Sequence, residues 1–527
     1  MRKPIGYIDF DPNITPELSY TSYINVAEEN VEKIYRGKYV EIVSMNNRRF
    51  MGRVIGGPFY MPEGISSKSF IAKTFTIRGE RFSRPPPYYA SFLVEIIGEI
   101  KDESLKTVYT KPPPRSTVYE MSTIMIEKLL KIGIGDMDIG YLLDYKGVKI
   151  RLSSRDKNVL PRNIGIFGTI GSGKTNTAQV IIEEASKNGW AVFVLDVEGE
   201  YTYMDQPNDN DKMNRALRSI YGFEPEGLKN FAVYVPIGRR SSRKNAVEFG
   251  IPFSEINPYV FSEIIEATEA QQRYLGIILD ELKEAKRVEE RSGGEFEEVV
   301  FGKDKTEAKI TIYDVVSYIS QSLSSLSDRF MKSSYIALST KLDRLIRLGF
   351  IDNGDPIPIM DRMEPGYVSI IDLSDTEDTV RNIAIAWILD KIFRIKLREL
   401  KNVKTMIVIE EAHSFISREK REKMTATIDM LKMIARRGRK RWLSLVFISQ
   451  QPGHLPPEIF ELCNTRVIHA LRSEPNIKAI RETTGGLKKE HIDMISKLSV
   501  GEALITSPQI LTPMIMKIRP AKTKKLY

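Results

Sequence analysis

The sequence predicts an α/β protein in which helices cover both faces of a parallel sheet, with a small β-barrel before the sheet and a helical insertion within it. From residue 163 onward, short apolar runs alternate with helical stretches, which is typical of parallel strands buried on both faces. The first hundred residues instead alternate β-rich runs with glycine and proline turns. A third stretch, residues 256–349, is mainly helical in its periodicity.

The composition is that of an ordinary folded protein, with 527 residues, 42% of them hydrophobic and 28% charged. One cysteine, Cys463, and four scattered histidines exclude an internal disulfide and a zinc site built from Cys and His. The net charge of +9 permits a polyanionic partner without requiring one. No secretory leader and no apolar run of membrane-spanning length is found, so we expect a soluble, cytoplasmic protein without a membrane partner.

Turn signals and proline runs divide the chain into segments. The run Pro112-Pro113-Pro114 places the end of the barrel near residue 115. The predicted boundaries are 1–115 for the barrel, 116–162 for a connecting segment, 163–255 with 350–527 for the α/β core, and 256–349 for the insertion.

The same patterns predict individual elements. In the barrel, strands are expected at Lys38–Val43, Arg49–Ile55, Ser69–Ile77 and Tyr89–Glu99. A helix is expected in the connecting segment at Val118–Lys131. The core strands are expected at Asn163–Phe167, Ala191–Asp196, Phe231–Val235, Tyr367–Asp372, Thr405–Ile409, Leu443–Ile448 and Arg466–Leu471.

The most specific motif is GTIGSGKT, which follows the first core strand and opens a helix. It fits G-x4-G-K-[ST], a loop whose backbone N–H groups surround a phosphate at a helix N-terminus. Lys174 is expected to reach the β- and γ-phosphates, and Thr175 to offer its hydroxyl to Mg²⁺. The predicted ATP-binding residues are Gly168, Thr169, Ile170, Gly171, Ser172, Gly173, Lys174, Thr175 and Asn176.

A second motif, TMIVIEEAH, brings two carboxylates to the end of an apolar strand. Successive side chains on a strand point to opposite sides, so Glu410 and Glu411 can take different roles. We assign Glu410 to the Mg²⁺ shell, together with Thr175, and Glu411 to the attacking water. The alternative is that the glutamates begin a helix, where negative charge is favourable.

Two further strands end in polar residues. Asp196 follows the strand after the P-loop helix and is a candidate to face the nucleotide, whereas Glu198 and Glu200 suit either that role or the capping of a turn. Gln450 follows the strand ending at Ile448 and is a candidate γ-phosphate sensor, with a plain turn as the alternative.

Basic residues cluster after a predicted helix at Met424–Arg437, for which Gly438 is expected to be the C-cap. For Arg437, Lys440 and Arg441 we prefer the interpretation that cations complement the helix dipole. For Arg436, the alternative is an arginine that acts in trans on the γ-phosphate of a neighbouring subunit. A second basic run, Arg239–Lys244, suits either a nucleic-acid backbone or a solvated surface.

The tetrapeptide TKLD at Thr340–Asp343 resembles the guanine-specificity motif of GTPases. It lies inside an amphipathic pattern instead of following a strand, so we reject it and expect ATP in preference to GTP.

Taken together, GTIGSGKT, LDVEGEY, VIEEAH, IARRGRK, ISQQP and VGEALI closely resemble the HerA family of hexameric DNA translocases, within the HerA/FtsK branch of RecA-like ATPases. The resemblance covers nearly the whole chain, including the N-terminal barrel. It implies a homo-hexameric ring that moves double-stranded DNA, with a NurA-like nuclease and Mre11–Rad50 as partners in DNA-end processing.

The resemblance also implies residue roles. Lys174, Thr175, Asp196, Glu411 and Gln450 fall on nucleotide-site positions of the family. Arg436 falls on the trans-acting arginine, and Arg162 is implied as a second arginine at the interface between subunits.

The chain departs from the family pattern at several positions. Glu198 stands where the family often has histidine, ARRGRK replaces AREGRK, and SQQP replaces SQRP. These changes leave the ATPase motifs intact and put the nuclease partner in doubt. A secretion- or conjugation-type ring ATPase and an ATP-switched DNA-binding module therefore stay as alternatives.

Overall fold

The computed structural model describes residues 2–11, 20–62, 88–293, 309–416, 419 and 421–526. These residues form two compact units. The first contains Met1–Ile134 and Asp144–Ile150, and the second contains Gly135–Leu143 and Arg151–Tyr527.

The first unit is built from short antiparallel strands. In chain order its elements are β1 (Gly6–Ile8), β2 (Thr21–Ala27), β3 (Tyr39–Val43), β4 (Arg49–Pro62), β5 (Tyr88–Lys101), β6 (Ser104–Lys106), β7 (Thr117–Glu120) and α1 (Thr123–Leu130). The predicted strand Ser69–Ile77 lies outside the described residues.

Six of these strands close into a barrel in the order β2-β1-β7-β3-β4-β5, because β2 pairs with both β1 and β5. Alternate residues such as Ile24, Val26, Phe92 and Val94 are fully buried inside it. The predicted barrel is thus confirmed, and its closure leaves no unpaired edge between β2 and β5.

Strand β7 lies beyond the predicted boundary at residue 115 and nevertheless pairs with β1 and β3, so the first unit extends past that boundary. The predicted helix Val118–Lys131 is therefore too long at its start. Val118 and Tyr119 favour a strand, and α1 begins only after Ser122, whose hydroxyl accepts the N–H of Met125.

The remaining strands carry the α/β core. They are β8 (Met137–Leu142), β9 (Lys149–Leu152), β10 (Ile164–Phe167), β11 (Ala191–Asp196), β12 (Phe231–Pro236), β13 (Val247–Phe249), β14 (Val368–Asp372), β15 (Thr405–Ile409), β16 (Leu443–Ser449), β17 (Thr465–Ile468), β18 (Glu502–Thr506) and β19 (Met514–Ile518). All the predicted core strands are present, with small shifts at their ends.

The helices of the second unit cover this sheet and form the insertion. They are α2 (Lys174–Lys187), α3 (Asp211–Ala216), α4 (Pro258–Ile264), α5 (Glu269–Gly293), α6 (Ile312–Ser322), α7 (Arg329–Leu348), α8 (Ile359–Arg362), α9 (Asp378–Leu397), α10 (Ala412–Phe415), α11 (Thr425–Gly438), α12 (Pro457–Leu462), α13 (Glu474–Thr483) and α14 (Lys489–Ile495). Over the described ranges, none of the helices is both long and apolar enough to cross a membrane.

Within the second unit the strand order is β13-β12-β14-β11-β15-β16-β10-β17-β18-β19-β8. The strands from β13 to β17 run parallel, and the last three pairings are antiparallel. The carboxyl ends of β11, β15, β16 and β10 therefore meet at one edge of the sheet, which is where ligands bind in such sheets.

The described part of the insertion is helical, as the sequence predicts. Asn257, Thr311 and Asp328 cap the starts of α4, α6 and α7, and Gly349 in the left-handed conformation (φ 65°) ends α7. The residues Thr340–Asp343 lie within α7, in agreement with the rejection of TKLD as a nucleotide motif.

The predicted role of Gly438 as a helix cap is wrong. Gly438 is itself helical (φ −61°), a single turn continues to Arg441, and the left-handed residue is Trp442 (φ 56°). The site favours glycine for another reason, since a Cβ there would lie 3.1 Å from the Cβ of Leu443.

The chain after β19 returns across helix α2, where Arg519 is fully buried. Its guanidinium donates to the carboxylates of Glu183 (2.9 Å) and Glu184 (3.0 Å) and to the carbonyl of Asp138 (2.8 Å). The backbone N–H of Thr523 also donates to Glu183 (2.9 Å). These contacts fix residues 519–523 on the helix that follows the P-loop.

We expect Arg519→Ala to destabilise the second unit by about 3–5 kcal/mol, because it leaves two buried carboxylates without their cation. The measurement is the unfolding transition followed by scanning calorimetry. The matched control is Arg481→Ala, which removes an exposed ion pair with Glu474 and should cost less than about 1 kcal/mol. Equal effects of the two substitutions would contradict the role of Arg519.

Candidate nucleotide site

The loop Gly168–Thr175 connects β10 to α2 and turns its backbone inward. Gly171 and Gly173 have φ angles of 73° and 112°, which L side chains rarely adopt. A Cβ at Gly173 would also lie 3.2 Å from the backbone of Gly501. The loop therefore needs glycine, and it ends at the N-terminus of α2, which favours an anion.

Lys174 lies within this loop, 7% exposed, and its Nζ donates to the carbonyl oxygen of Thr169 at 3.1 Å. Burial lowers the pKa of Lys174, whereas the carboxylates of Glu411, Glu200 and Glu410 act to raise it. A bound polyphosphate would supply the negative charge that a buried ammonium group lacks in the loop itself.

Other predicted loop residues have different tasks. The Asn176 side chain donates to the carbonyl of Arg519 (2.8 Å) and accepts the N–H of Ala521 (2.8 Å), so it holds the returning chain. Ser172 donates to the carbonyl of Thr169 (2.7 Å). Ile170 is exposed at the tip of the loop.

At the end of β11, Asp196 is fully buried and accepts backbone N–H groups from Gly199 (2.7 Å), Glu200 (3.2 Å) and Tyr201 (2.9 Å). Its carboxyl group also lies close to that of Glu410, whose pKa it raises. Asp196 therefore organises the turn after β11, a role that the sequence motif did not distinguish from contact with the nucleotide.

Burial, reinforced by Asp196, raises the pKa of Glu410 well above its ordinary value. Burial likewise raises the pKa of Asp196 to about 6. The structure thus brings Glu410 to Asp196, and Glu198 donates its N–H to Glu410 at 3.3 Å.

Thr175 meets a different carboxylate from the predicted one. Its hydroxyl donates to Glu200 Oε2 at 2.5 Å. The sequence allows either a site role or a turn-capping role for Glu200. In the structure, the turn that Asp196 holds brings Glu200 into contact with the P-loop residue Thr175. Thr175 and Glu200 supply hydroxyl and carboxylate oxygens, which are the ligands that Mg²⁺ prefers. In the described part of the chain, no group of three or more His, Cys, Asp or Glu side chains is arranged to hold a metal ion by itself.

Glu411 is held by its neighbours. It is 6% exposed and adopts the left-handed conformation (φ 44°), which is strained for a glutamate. One carboxylate oxygen accepts from the side-chain amide of Gln450, and the other lies 3.0 Å from Nδ1 of His413. The sequence analysis missed His413, and its place two residues after Glu411 was the available signal.

The two predicted interface arginines lie at the opposite edge of the sheet from the P-loop. Arg162 ends a turn just before β10, and Arg436 lies in the last turn of α11, which leads into the start of β16. Arg436 is exposed and has no ion pair within the described residues. Neither arginine reaches the P-loop of its own chain. The start of α11 is fixed by Glu263, which accepts the N–H groups of Ala426 (2.6 Å) and Thr427 (2.9 Å).

The basic run Arg239–Lys244 follows β12. Arg239 pairs with Glu377 (2.7 Å), and Arg243 forms a bidentate pair with Asp205. Arg240 and Lys244 are exposed, and no side-chain partner is found for either among the described residues.

A strand–loop–helix cradle with a buried lysine, beside carboxylates at the ends of neighbouring parallel strands, defines the P-loop ATPases. The chain is an ATPase of this class. Its central part, residues 137–392, matches the family model described as "Helicase HerA, central domain". The match agrees with the resemblance of the sequence to the HerA helicases.

Characterised relatives extend over most of the chain. A protein named DNA double-strand break repair helicase HerA from Sulfolobus acidocaldarius is 23% identical over 514 residues, which are 94% of this chain and 91% of the relative. A protein of the same name from Saccharolobus solfataricus is 26% identical over 80% of this chain and 71% of its own length.

Two solved structures share the fold. VirB4 of Thermoanaerobacter pseudethanolicus aligns with a TM-score of 0.51 and 17% identity, over 74% of this chain and 97% of its own. The plasmid coupling protein TrwB, in complex with the ATP analogue ADPNP, aligns with a TM-score of 0.50 and 12% identity, over 76% and 93%. The predicted P-loop ATPase core is thus confirmed.

We expect Glu410→Gln to stabilise the metal-free protein at pH 8 relative to wild type, on the order of 1–3 kcal/mol, and much less at pH 5. Asp196 and Glu410 have raised pKa values, so the folded state binds more protons than the unfolded state and loses stability as pH rises through and above about 6. A neutral amide removes part of that loss. The measurement is the melting temperature in EDTA at both pH values, with the exposed Glu482→Gln as control. A wild-type protein that is more stable than Glu410→Gln at pH 8 would contradict the raised pKa of Glu410.

Proposed function

We propose that this chain is an ATP-driven translocase or helicase on double-stranded DNA, which works as a six-membered ring in DNA-end processing. The observation that supports it best is the division of the site. The phosphate loop and the catalytic carboxylate lie at one edge of the sheet, and the candidate arginines lie at the other.

Within one chain, the residues at the P-loop edge suit binding and water activation. Lys174 is placed to bind the phosphates. Glu411 is the candidate base for the attacking water, and Gln450 and His413 hold its carboxylate in place. Gln450 is also the candidate that contacts the γ-phosphate, since it lies at the end of the strand next to β10.

For Mg²⁺, Thr175 and Glu200 are the residues in mutual contact that fit a metal shell, with Glu410 as the further predicted ligand. When bound, the cation neutralises charge on the β- and γ-phosphates. The raised pKa of Glu410 favours its neutral form, and a bound Mg²⁺ would favour the carboxylate that can act as a ligand.

The positions of the two arginines support the proposed ring. An exposed Arg436 that cannot reach its own P-loop can complete a site only on another chain, and Arg162 lies at the same edge. A closed ring of identical chains gives every P-loop such a neighbour. The number six rests on the family resemblance.

DNA as the substrate is supported by the names of the HerA relatives. Arg240 and Lys244 are exposed and have no side-chain partner within the described ranges, so they offer contacts to a phosphate backbone that carry no sequence preference. A NurA-like nuclease and Mre11–Rad50 are proposed as partners on the resemblance alone.

The fold shared with VirB4 and TrwB keeps a secretion- or conjugation-type ATPase as a second candidate. Duplex DNA separates the candidates, because a translocase hydrolyses ATP faster when DNA is present. The ATP hydrolysis rate of a secretion ATPase without a DNA substrate does not rise when DNA is added. An assembly switch binds DNA but hydrolyses little ATP.

We expect Glu411→Gln to bind ATP, to hydrolyse it very slowly, and to accumulate in the ATP-bound state on duplex DNA, because the amide cannot accept the proton of the water. Lys174→Ala is the control that should fail at binding. The measurement is the ratio of ATP to ADP that remains on the protein after gel filtration. If Glu411→Gln carries mostly ADP, Glu411 is not the base for the attacking water. If DNA leaves the wild-type ATP turnover unchanged, the translocase proposal is wrong.

We expect Lys174→Ala and Arg436→Ala to be inactive alone, with the arginine loss costing about 10³–10⁵ in turnover, and activity to return when the two are co-expressed. An Arg436→Ala subunit keeps its P-loop and can use the arginine of an adjacent Lys174→Ala subunit. The measurement is DNA-stimulated ATPase activity of mixed rings confirmed by mass spectrometry.

A matched control replaces Arg436→Ala with Arg481→Ala, an exposed arginine paired with Glu474 outside the site. If mixed rings stay as inactive as their parents, titration with wild-type subunits decides the cause. Silencing by a minority of mutant means that every site must be intact, and activity proportional to wild type means that Arg436 does not act in trans.

A further inference from the structure

The segment that follows Arg519 carries two adjacent lysines with different partners. Lys525 Nζ lies 2.8 Å from Glu200 Oε1, beside the P-loop. Lys524 Nζ lies 2.8 Å from Asp209 Oδ2, an exposed carboxylate outside the site. The nucleotide site therefore contains a cation from the far end of the sequence that no motif predicted.

The Glu200 carboxylate is divided between two partners. Oε1 accepts from Lys525, and Oε2 accepts from the hydroxyl of Thr175 at 2.5 Å. Two contacts on two oxygens fix the plane of the carboxylate. The Thr175 hydroxyl has one proton and gives it to Glu200, so its lone pairs stay available to a cation on its other side.

Charge is the second consequence of this arrangement. Glu200 contacts Thr175 (2.5 Å), and Glu410 accepts the N–H of Glu198 (3.3 Å), two residues before Glu200. A phosphate group that enters the loop meets this excess of carboxylates. Lys525 offsets one of them directly.

We propose that Lys525 is a positioning residue of the nucleotide site, which acts through Glu200. It holds the Glu200 carboxylate on Thr175 and neutralises its charge, so that a nucleotide can bind before Mg²⁺ does. The inference rests on the proposed nucleotide role of the P-loop.

A purely structural role for Lys525 would be to pin the segment to the turn after β11. The segment has other anchors, because Lys522 and Thr523 donate backbone N–H groups to Glu183, and Gln179 donates to the carbonyl of Lys524 (3.1 Å). Removal of the Lys525 ammonium therefore leaves the segment attached to α2.

The experiment measures the dissociation constant of ADP, which is not hydrolysed, by calorimetry on the full chain with Mg²⁺ and with EDTA. The readout is the dissociation constant in EDTA divided by the dissociation constant with Mg²⁺. This ratio measures how much Mg²⁺ strengthens binding. In Lys525→Ala, ADP binding in EDTA should weaken and the ratio should rise about fivefold. The reason is that Mg²⁺ must then offset the charge of Glu200 without help from Lys525.

Three variants control the result. Lys525→Arg should keep the wild-type ratio, and Lys524→Ala, the matched neighbour, should also keep it. Glu200→Gln should lower the ratio, because the charge that Mg²⁺ offsets is gone. Melting temperatures of the lysine variants should equal that of wild type.

Two outcomes would overturn the role of Lys525. A ratio that is unchanged in Lys525→Ala shows that the charge of Lys525 is not felt at the site. Equal weakening with and without Mg²⁺, together with a lower melting temperature, assigns Lys525 to the structure of the segment. Failure of the proposed function looks different, since wild type would then not bind ADP, or Lys174→Ala would bind it as tightly.

Discussion

Parallel pairing of β11, β15, β16 and β10 is the constraint on which the site depends. Each strand ends in candidate site residues, and a parallel sheet brings all those ends to one edge. The P-loop, Gln450, Glu411 and Asp196 are far apart in sequence and meet only because of this order. A shift in the strand order would leave every motif intact and separate the groups.

The same edge concentrates negative charge, and the fold handles it in three ways. Burial raises the pKa values of Asp196 and Glu410, which favours their neutral forms. Glu411 is held by Gln450 and His413, and Glu200 pairs with Lys525. Buried charges without such partners are costly. The site is thus kept intact by contacts that a bound cation and nucleotide must partly replace, which suits a site that changes state during a reaction cycle.

Much of this was predictable because it is local in sequence. The core strands follow from apolar runs, and the P-loop follows from its motif. The alternation of side chains along a strand does not extend to Glu411, because β15 ends at Ile409 and Glu411 is left-handed (φ 44°). Contacts between residues far apart in sequence were not predictable. No local pattern around Glu200 predicts its contact with Lys525, and none around Asn176 predicts its contact with residues 519–521. The sequence does not show why position 438 favours glycine, because the close contact with Leu443 forms only when the chain packs. It also does not show that Val118 lies in a strand, because the pairing of β7 with β1 and β3 decides that conformation.

One turn links the nucleotide site to the exposed basic loop. Glu200 touches Thr175, and a few residues later Thr202 Oγ1 lies 2.9 Å from Ser242 Oγ while the Tyr203 hydroxyl donates to the carbonyl of Ser242 (2.8 Å). Arg243, in the same loop, is clamped by Asp205. Asp196 fixes the beginning of this turn, so the Glu200 carboxylate and the contacts to the basic loop are carried by one continuous segment. For the proposed translocase, this segment is the candidate physical route between the phosphates and the basic loop, and coupling measurements on its residues are what would establish it.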